Sequence, residues 1–387
     1  MNSSFAEIRK SITTQIGRDL FYEVEQAPWG AMPLTSIPEI SVAIGTGVGL
    51  VRTRNEDRVA VAQVAAADGE FYFVVLVCDG VGGTEMGDVA ASVAVSAFIE
   101  ELTHNRSKIP LAKLLPLLIR RVDERVREVL HGRGATTLSV LVSRGGGETI
   151  STNIGDSRIY SWSPLKGQLA QVSRDDTIEN ELEELAIKKP NALRYGAFGS
   201  SLSQAIGEDG RSSHDLRIRI LDSGCLDSGV VLATDGAWKG AEDGFNALLK
   251  RAQTSTVAVS RAMTFSNWVG GIDNTSIVAI ENIKEAASKI PWSEPGELKV
   301  RAWLGNSKVI LSASSSAATS KLPRLERSIM KSEIRKALAK KNIRSSDDPN
   351  KLPKQLDFVE DSGLEKKPNR AKVEITIDPD PKIDSES

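Results

Sequence analysis

Thiol and imidazole side chains are scarce in this chain: two cysteines and three histidines stand among 387 residues. Cys78 and Cys225 each lie in or beside an apolar run without metal-ligand spacing. That excludes a cysteine-built zinc site and reads as a pair of reduced core thiols in a cytosolic protein. His104, His131 and His214 fall in no motif and read as structural or exposed. Charge of one sign is not in excess. A formal net charge of −2 excludes a general nucleic-acid binder, which needs a strong basic surplus. Long hydrophobic runs are missing as well. No uncharged apolar stretch reaches bilayer-spanning length, and residues 1–20 mix Glu, Arg, Lys and Asp without an apolar core. Neither membrane insertion nor a secretory signal is therefore expected, and the reading is a soluble, cytoplasmic protein. With 40% hydrophobic and 26% charged residues, the chain has an ordinary globular composition and room for one large domain or two smaller ones.

What the chain does have is a clear succession of patterns. Residues 1–40 read as an N-terminal extension, amphipathic near residues 5–22 and then punctuated by Pro28, Pro33 and Pro38. From Ile40 the pattern turns to strands at 40–51, 59–65 and 71–78, separated by Gly, Asp and Asn. Residues 87–102 and 111–130 read as core-facing helices, the second with Leu114, Leu118, Val122, Val126 and Val129 on one stripe. A strand is expected at 136–143, and 149–154 with 158–162 reads as a hairpin around Gly155-Asp156. Residues 178–203 are polar, helical at first and then Gly/Ser-rich. Strands are expected again at 216–221, 230–234 and 275–280, with a mainly helical stretch at 245–263. Residues 284–315 read as an appended hairpin about Gly305-Asn306, and residues 316–387 as a basic amphipathic helix (322–341) and a disordered tail. The helix reads first as a solvated element and second as a docking segment for a partner. Strands, two helices, strands, a helix and a closing strand point to α+β layering with antiparallel sheets, not to repeated βαβ units.

Chemistry concentrates in three carboxylates at strand ends. Asp79-Gly80 follows the apolar run 71–77, Asp235-Gly236 follows 230–233, and Asp273 precedes 275–280. Alone, either Asp-Gly reads as a turn, since Gly supplies positive φ and Asp bonds its own backbone. Together, oxygen-only ligands on a rigid sheet favour a hard divalent cation such as Mg²⁺ or Mn²⁺.

Other motifs complete the order: Arg52-Thr53-Arg54-Asn55-Glu56-Asp57, Asp79-Gly80-Val81-Gly82-Gly83, Gly87-Asp88, Gly132-Arg133-Gly134-Ala135-Thr136-Thr137, Asn153-Ile154-Gly155-Asp156, Leu202-Ser203-Gln204-Ala205-Ile206-Gly207, Asp235-Gly236 and Asp273-Asn274. This series resembles the metal-dependent serine/threonine protein phosphatases (the PPM family, formerly type 2C), most of all their compact bacterial members. The resemblance covers residues 41–283. It implies a four-layer α/β/β/α sandwich, two antiparallel sheets flanked by helix pairs, with a dinuclear Mn²⁺ or Mg²⁺ site at one end.

The resemblance also implies roles. Asp79 bridges two cations, the Gly80 carbonyl binds one of them, and Asp235 and Asp273 complete the other's shell. Asp57, with Glu56, holds metal-bound waters; Arg52 grips the substrate phosphate; Asp156 helps hold a weaker third ion. The reaction so implied is hydrolysis of phosphoserine or phosphothreonine by a metal-bridging hydroxide. The physical logic is that cations neutralise a phosphate ester's negative oxygens and acidify water. Arginine's planar fork matches two phosphate oxygens, and glycine lets the backbone approach closely. Partners implied are phosphorylated proteins, among them a serine/threonine kinase. For Glu56 and Asp156 a purely structural role is an equal alternative. Asp175-Asp176-Thr177 reads as a structural acidic turn. Val81 stands where many eukaryotic members carry a histidine, which leaves leaving-group protonation to metal-bound water; Gly47 and Gln204 also depart from common residues. The alternative function is a non-catalytic phosphoprotein-binding regulator on the same fold.

Overall fold

The computed structural model describes residues 3–30, 34–145, 147–186, 201–226, 228–290 and 297–314. The described residues all fall within one compact unit, 1–321. Residues 322–387 lie outside the described residues, and with them the expected basic helix and tail; so do residues 187–200 of the Gly/Ser-rich stretch.

The chain opens with two helices, α1 (Ser3–Ser11) and α2 (Gln15–Gln26), where periodicity suggests one amphipathic stretch. Thr14 divides them, capping α2 by accepting from the Gly17 amide. Strands β1 (Leu34–Ile37), β2 (Val42–Gly47), β3 (Arg58–Ala65) and β4 (Phe71–Cys78) precede helices α3 (Gly87–Thr103) and α4 (Leu111–Leu130). Then come β5 (Leu138–Arg144), β6 (Thr149–Ile154), β7 (Arg158–Ser163), β8 (Gln168–Gln171), α5 (Ile178–Ala186), β9 (Leu221–Asp222) and β10 (Gly229–Ala233). Helices α6 (Asp235–Trp238), α7 (Glu242–Lys250) and α8 (Ser255–Trp268), strand β11 (Thr275–Ile280), helix α9 (Ile283–Ser288) and strands β12 (Glu297–Leu304) and β13 (Ser307–Ser314) complete the unit.

Two antiparallel sheets form, ordered β1-β2-β11-β10-β7-β8 and β13-β12-β3-β4-β5-β6-β9. Strands β10 and β11 of the first lie against β4 of the second, while α3 and α4 cover the second sheet and α7 and α8 border the first. The strands read as near-continuous apolar runs because both faces are buried. Alternation then sorts the side chains. Val230, Leu232, Val278 and Ile280 enter the core between the sheets, whereas Val231, Ala233, Ile277 and Ala279 join Phe245, Leu249, Val259 and Met263 under the outer helices. The expected four-layer architecture is present.

Several local expectations fail. Residues 149–154 and 158–163 do not form a hairpin: β6 pairs with β5 and β9, while β7 pairs with β10 and β8. Ile150 and Ile154 belong to the central core, but Tyr160 and Trp162 pack with Phe245 and Leu249, so each strand follows the cluster that buries it. The chain changes sheet at Gly155, φ 101°. Residues 216–220 make no strand, and only Leu221–Asp222 pairs. Their backbone bonds go to side chains instead: Gln204 both accepts from the Arg217 amide and donates to its carbonyl, and Thr152 donates to the Arg219 carbonyl. Cys225 is exposed, in the turn Ser223–Cys225, while Cys78 is buried as expected. The expected strand at 40–51 shortens to β2, and the 245–263 stretch is two helices, α7 and α8. Residues 34–37, read as part of an extension, pair with β2, and the hairpin about Gly305 pairs through β12 with β3. No helix among the described residues is long and apolar enough to cross a membrane.

Candidate active site

Antiparallel register explains why distant aspartates meet. Ala233 of β10 lies opposite Ile277 of β11, so the end of one strand and the start of the other fall at the same edge, placing Asp235 and Asp273 together. Asp79 arrives at that edge from β4 in the facing sheet. Thr137 fixes it, its hydroxyl accepting from the Asp79 amide (2.9 Å) and its own amide donating to the Asp79 carbonyl (2.8 Å). A cavity of about 170 Å³ is lined there by Arg52, Glu56, Asp79, Gly80, Asp156, Asp235 and Asp273, among others. It is small for an organic ligand, and polar.

The 52–57 loop is held to this edge by amides. Asn274 accepts from the Glu56 amide (2.8 Å) and donates to the carbonyls of Val48 and Arg54, both at 2.9 Å. Asn55 donates to Thr46 (2.9 Å) and to the Trp29 carbonyl (3.0 Å), and accepts from the Asp57 amide (3.0 Å). Asp57 is fully buried behind the cavity, one oxygen taking a hydrogen bond from Thr234 (2.9 Å). Its other oxygen has no hydrogen-bond partner. Arg54 holds Glu56 at 2.6 Å.

Five aspartates share this edge with few cations. Arg52 lies 2.8 Å from Asp273, and Lys239 lies 2.8 Å from Asp235 and 3.7 Å from Asp156. Burial first, then repulsion from Asp57, Asp235, Asp156 and Asp273, pushes the Asp79 carboxyl well above the usual range. Burial raises Asp57 to about 7, with the hydroxyls of Ser276 and Thr234 offsetting part of the rise and Asp235 and Asp273 adding to it. Asp156 rises to about 6 through burial and the charge of Asp235, with Lys239 opposing. Carboxylates raised by one another's charge form a site that calls for cations.

A family model described as protein phosphatase 2C matches residues 45–267, more than half of the chain. The chain belongs to this family. It is a serine/threonine protein phosphatase of PPM type, and membership implies metal dependence. The serine/threonine phosphatase stp of Listeria monocytogenes is 24% identical over 247 residues, covering 61% of this chain and 93% of that one. In fold the phosphatase resembles the Staphylococcus aureus serine/threonine phosphatase Stp1 (TM-score 0.52, 17% identity, 65% of this chain and 97% of that one). It also resembles a bacterial serine phosphatase (TM-score 0.51, 18% identity, 62% and 97%).

The donor set fits hard divalent cations: carboxylate oxygens, one of them buried and unpartnered, beside the backbone of Gly80. As the side chains stand, no group of three among the described residues is placed to hold an ion. Arg52 pairs with Asp273 and Lys239 with Asp235, each at 2.8 Å. The phosphatase thus brings together every residue singled out from the sequence: seven line the cavity and Asp57 stands behind it. Asp175 and Asp176 are structural, as expected. Asp175 pairs with Arg158, and Asp176 with Arg219, Gln204 and the Gly155 amide. Sequence reasoning missed the positioning roles of Thr137, Thr234 and Asn274, and missed Lys239 altogether. The first three flank or sit inside the motifs, where a polar side chain beside a ligand was the available signal. Lys239 follows Asp235 by four residues, the spacing of a helical ion pair.

Proposed function

We propose that this phosphatase hydrolyses phosphoserine and phosphothreonine in proteins, with residues 41–283 as its catalytic domain and two Mn²⁺ or Mg²⁺ ions held by Asp79, Gly80, Asp235 and Asp273. The observation that carries the reading is the meeting of Asp79, Asp235 and Asp273, from three strand ends, on one small polar cavity. When bound, the ions supply charge neutralisation at the phosphoryl group and an acidified water as nucleophile. Asp79, which reaches the same cavity from the facing sheet, would hold the ions together with Asp235 and Asp273. Asp57, through its unpartnered oxygen, and Glu56 would orient water. Arg52, 45% exposed at the cavity mouth, would bind two phosphate oxygens with its planar fork. Among the described residues no imidazole lines the cavity, and Val81 occupies the position beside Gly80. Substrate proteins, a serine/threonine kinase among them, present the phosphorylated side chain to this mouth.

Hydrolysis of a phosphothreonine peptide with Mn²⁺, by the wild-type protein and by Asp79→Ala, tests the reading. Several kcal/mol of charge stabilisation, at 1.4 kcal/mol per decade, predicts a fall of at least about 10²-fold. Equal rates refute the site. Calorimetric Mn²⁺ titration separates the enzyme from a binding-only relative, whose degenerate site takes up little metal.

A further inference from the structure

Lys239 is the residue that the proposed chemistry does not use. It caps the short helix α6, its amide donating to the Asp235 carbonyl at 2.8 Å, and its stem turns back over the helix toward the cavity. The ammonium donates to Asp235 Oδ2 at 2.8 Å and stands 3.7 Å from Asp156 Oδ2. It therefore contacts two carboxylates that reach the cavity from the same end of paired strands, Asp235 following β10 and Asp156 preceding β7. The other described cation paired with a cavity aspartate, Arg52, is committed to Asp273.

Resting on the two-ion reading above, we propose that the Lys239 ammonium is the resident cation of the Asp156–Asp235 pair. The phosphatase accordingly takes up two divalent ions and excludes a third from this position. An ammonium has three donors on a flexible stem and can satisfy both carboxylates at once. A divalent ion between the same oxygens would have to displace it or stand within a few ångströms of a like charge. The ammonium thus offsets one of the pair's two negative charges whatever the concentration of free metal, which makes Lys239 a positioning residue for Asp235. An ordinary exposed i,i+4 ion pair contributes little and leaves metal stoichiometry unchanged.

The experiment is Mn²⁺ titration of the full, chelator-stripped chain, read by the electron paramagnetic resonance of free Mn²⁺. The wild-type protein and Lys239→Arg, which keeps the charge, should saturate at two ions. Lys239→Ala and Lys239→Gln should take up a third, weaker ion, and adding Asp156→Asn to either should remove it. Lys239 is half-exposed, and normal thermal unfolding of either uncharged variant suffices for the comparison. A third ion bound equally by wild type and variants overturns the proposal, as does a folded Lys239→Ala protein that stops at two. Wild-type protein binding fewer than two ions instead overturns the two-ion reading beneath it.

Discussion

A methyl group added to Gly236 would fall 1.9 Å from the Asn274 carbonyl oxygen, and one added to Gly80 would fall 2.5 Å from the Gly87 carbonyl carbon. Neither glycine has positive φ, so the turn explanation for the two Asp-Gly pairs does not hold; what each position requires is room. Backbone atoms cannot rotate aside as a flexible side chain can. Gly236→Ala should destabilise the protein by about 1–3 kcal/mol, the range for forced overpacking, whereas Gly30→Ala, with nothing within 4 Å, should stay within about 0.5 kcal/mol. Urea unfolding of both variants checks this, and equal midpoints contradict it. Arg52 carries a different residue-scale expectation. Lysine at 52 keeps the charge but loses the fork, so kcat/KM on a phosphopeptide should fall about tenfold or more, the worth of one charge-assisted hydrogen bond. An unchanged kcat/KM would remove Arg52 from phosphate binding.

Elements outside the catalytic strands hold the site in place. Trp29, 6% exposed, follows α2 and donates to the Val24 carbonyl (2.6 Å). Its carbonyl accepts from Asn55, the Arg58 guanidinium stacks over its ring at 5.2 Å, and Gly305 of the β12–β13 turn packs against its edge. One indole thus joins the N-terminal helices, the 52–57 loop and the edge hairpin. Trp29→Ala should cost about 3–5 kcal/mol and weaken Mn²⁺ binding, although Trp29 does not line the cavity. Denaturant unfolding with a parallel metal titration measures both, and a stability loss with metal affinity untouched would sever the link to the loop. This dependence was invisible in the sequence, where residues 1–40 read as an extension. Elements that bury one stripe or two faces, such as α4, β3 and β4, were legible because periodicity records burial directly. The β6–β7 crossing was not. A short Gly-Asp connection satisfies the local rule for a hairpin, whereas sheet membership depends on partners far along the chain: Phe245 for Tyr160, Leu138 for Ile154. The site followed the same division. Strand-end aspartates announce themselves by neighbourhood, whereas the spacing of Lys239 from Asp235 and the place of Asn274 beside Asp273 were weak signals until distances gave them partners.

At the scale of the molecule, the cluster of aspartates sets stability against function. Asp57 and Asp156 have folded-state pKa values of about 7 and about 6, above the ordinary 3.8, and Asp79 is raised as well. A carboxyl that holds its proton more tightly when folded favours the folded state fully below the unfolded pKa. That contribution is lost as pH rises through the folded value, here from about 4 to about 7. Metal-free protein should therefore lose stability across this window, because unfolding lets these groups ionise freely. Divalent ions reverse the balance by binding the ionised form, so the stabilisation from Mn²⁺ should grow with pH over the same range. Asp79→Asn removes one repelling charge at the centre of the cluster. In chelator at about pH 7.5 that variant should melt higher than the wild type, and at about pH 5 the gap should narrow, while activity is lost at both. Thermal unfolding at the two pH values, with chelator and with saturating Mn²⁺, decides the matter. A metal-free Asp79→Asn protein no more stable than the wild type at the higher pH would mean that the carboxylates do not strain the fold. The case for cations drawn from their mutual repulsion would then fail.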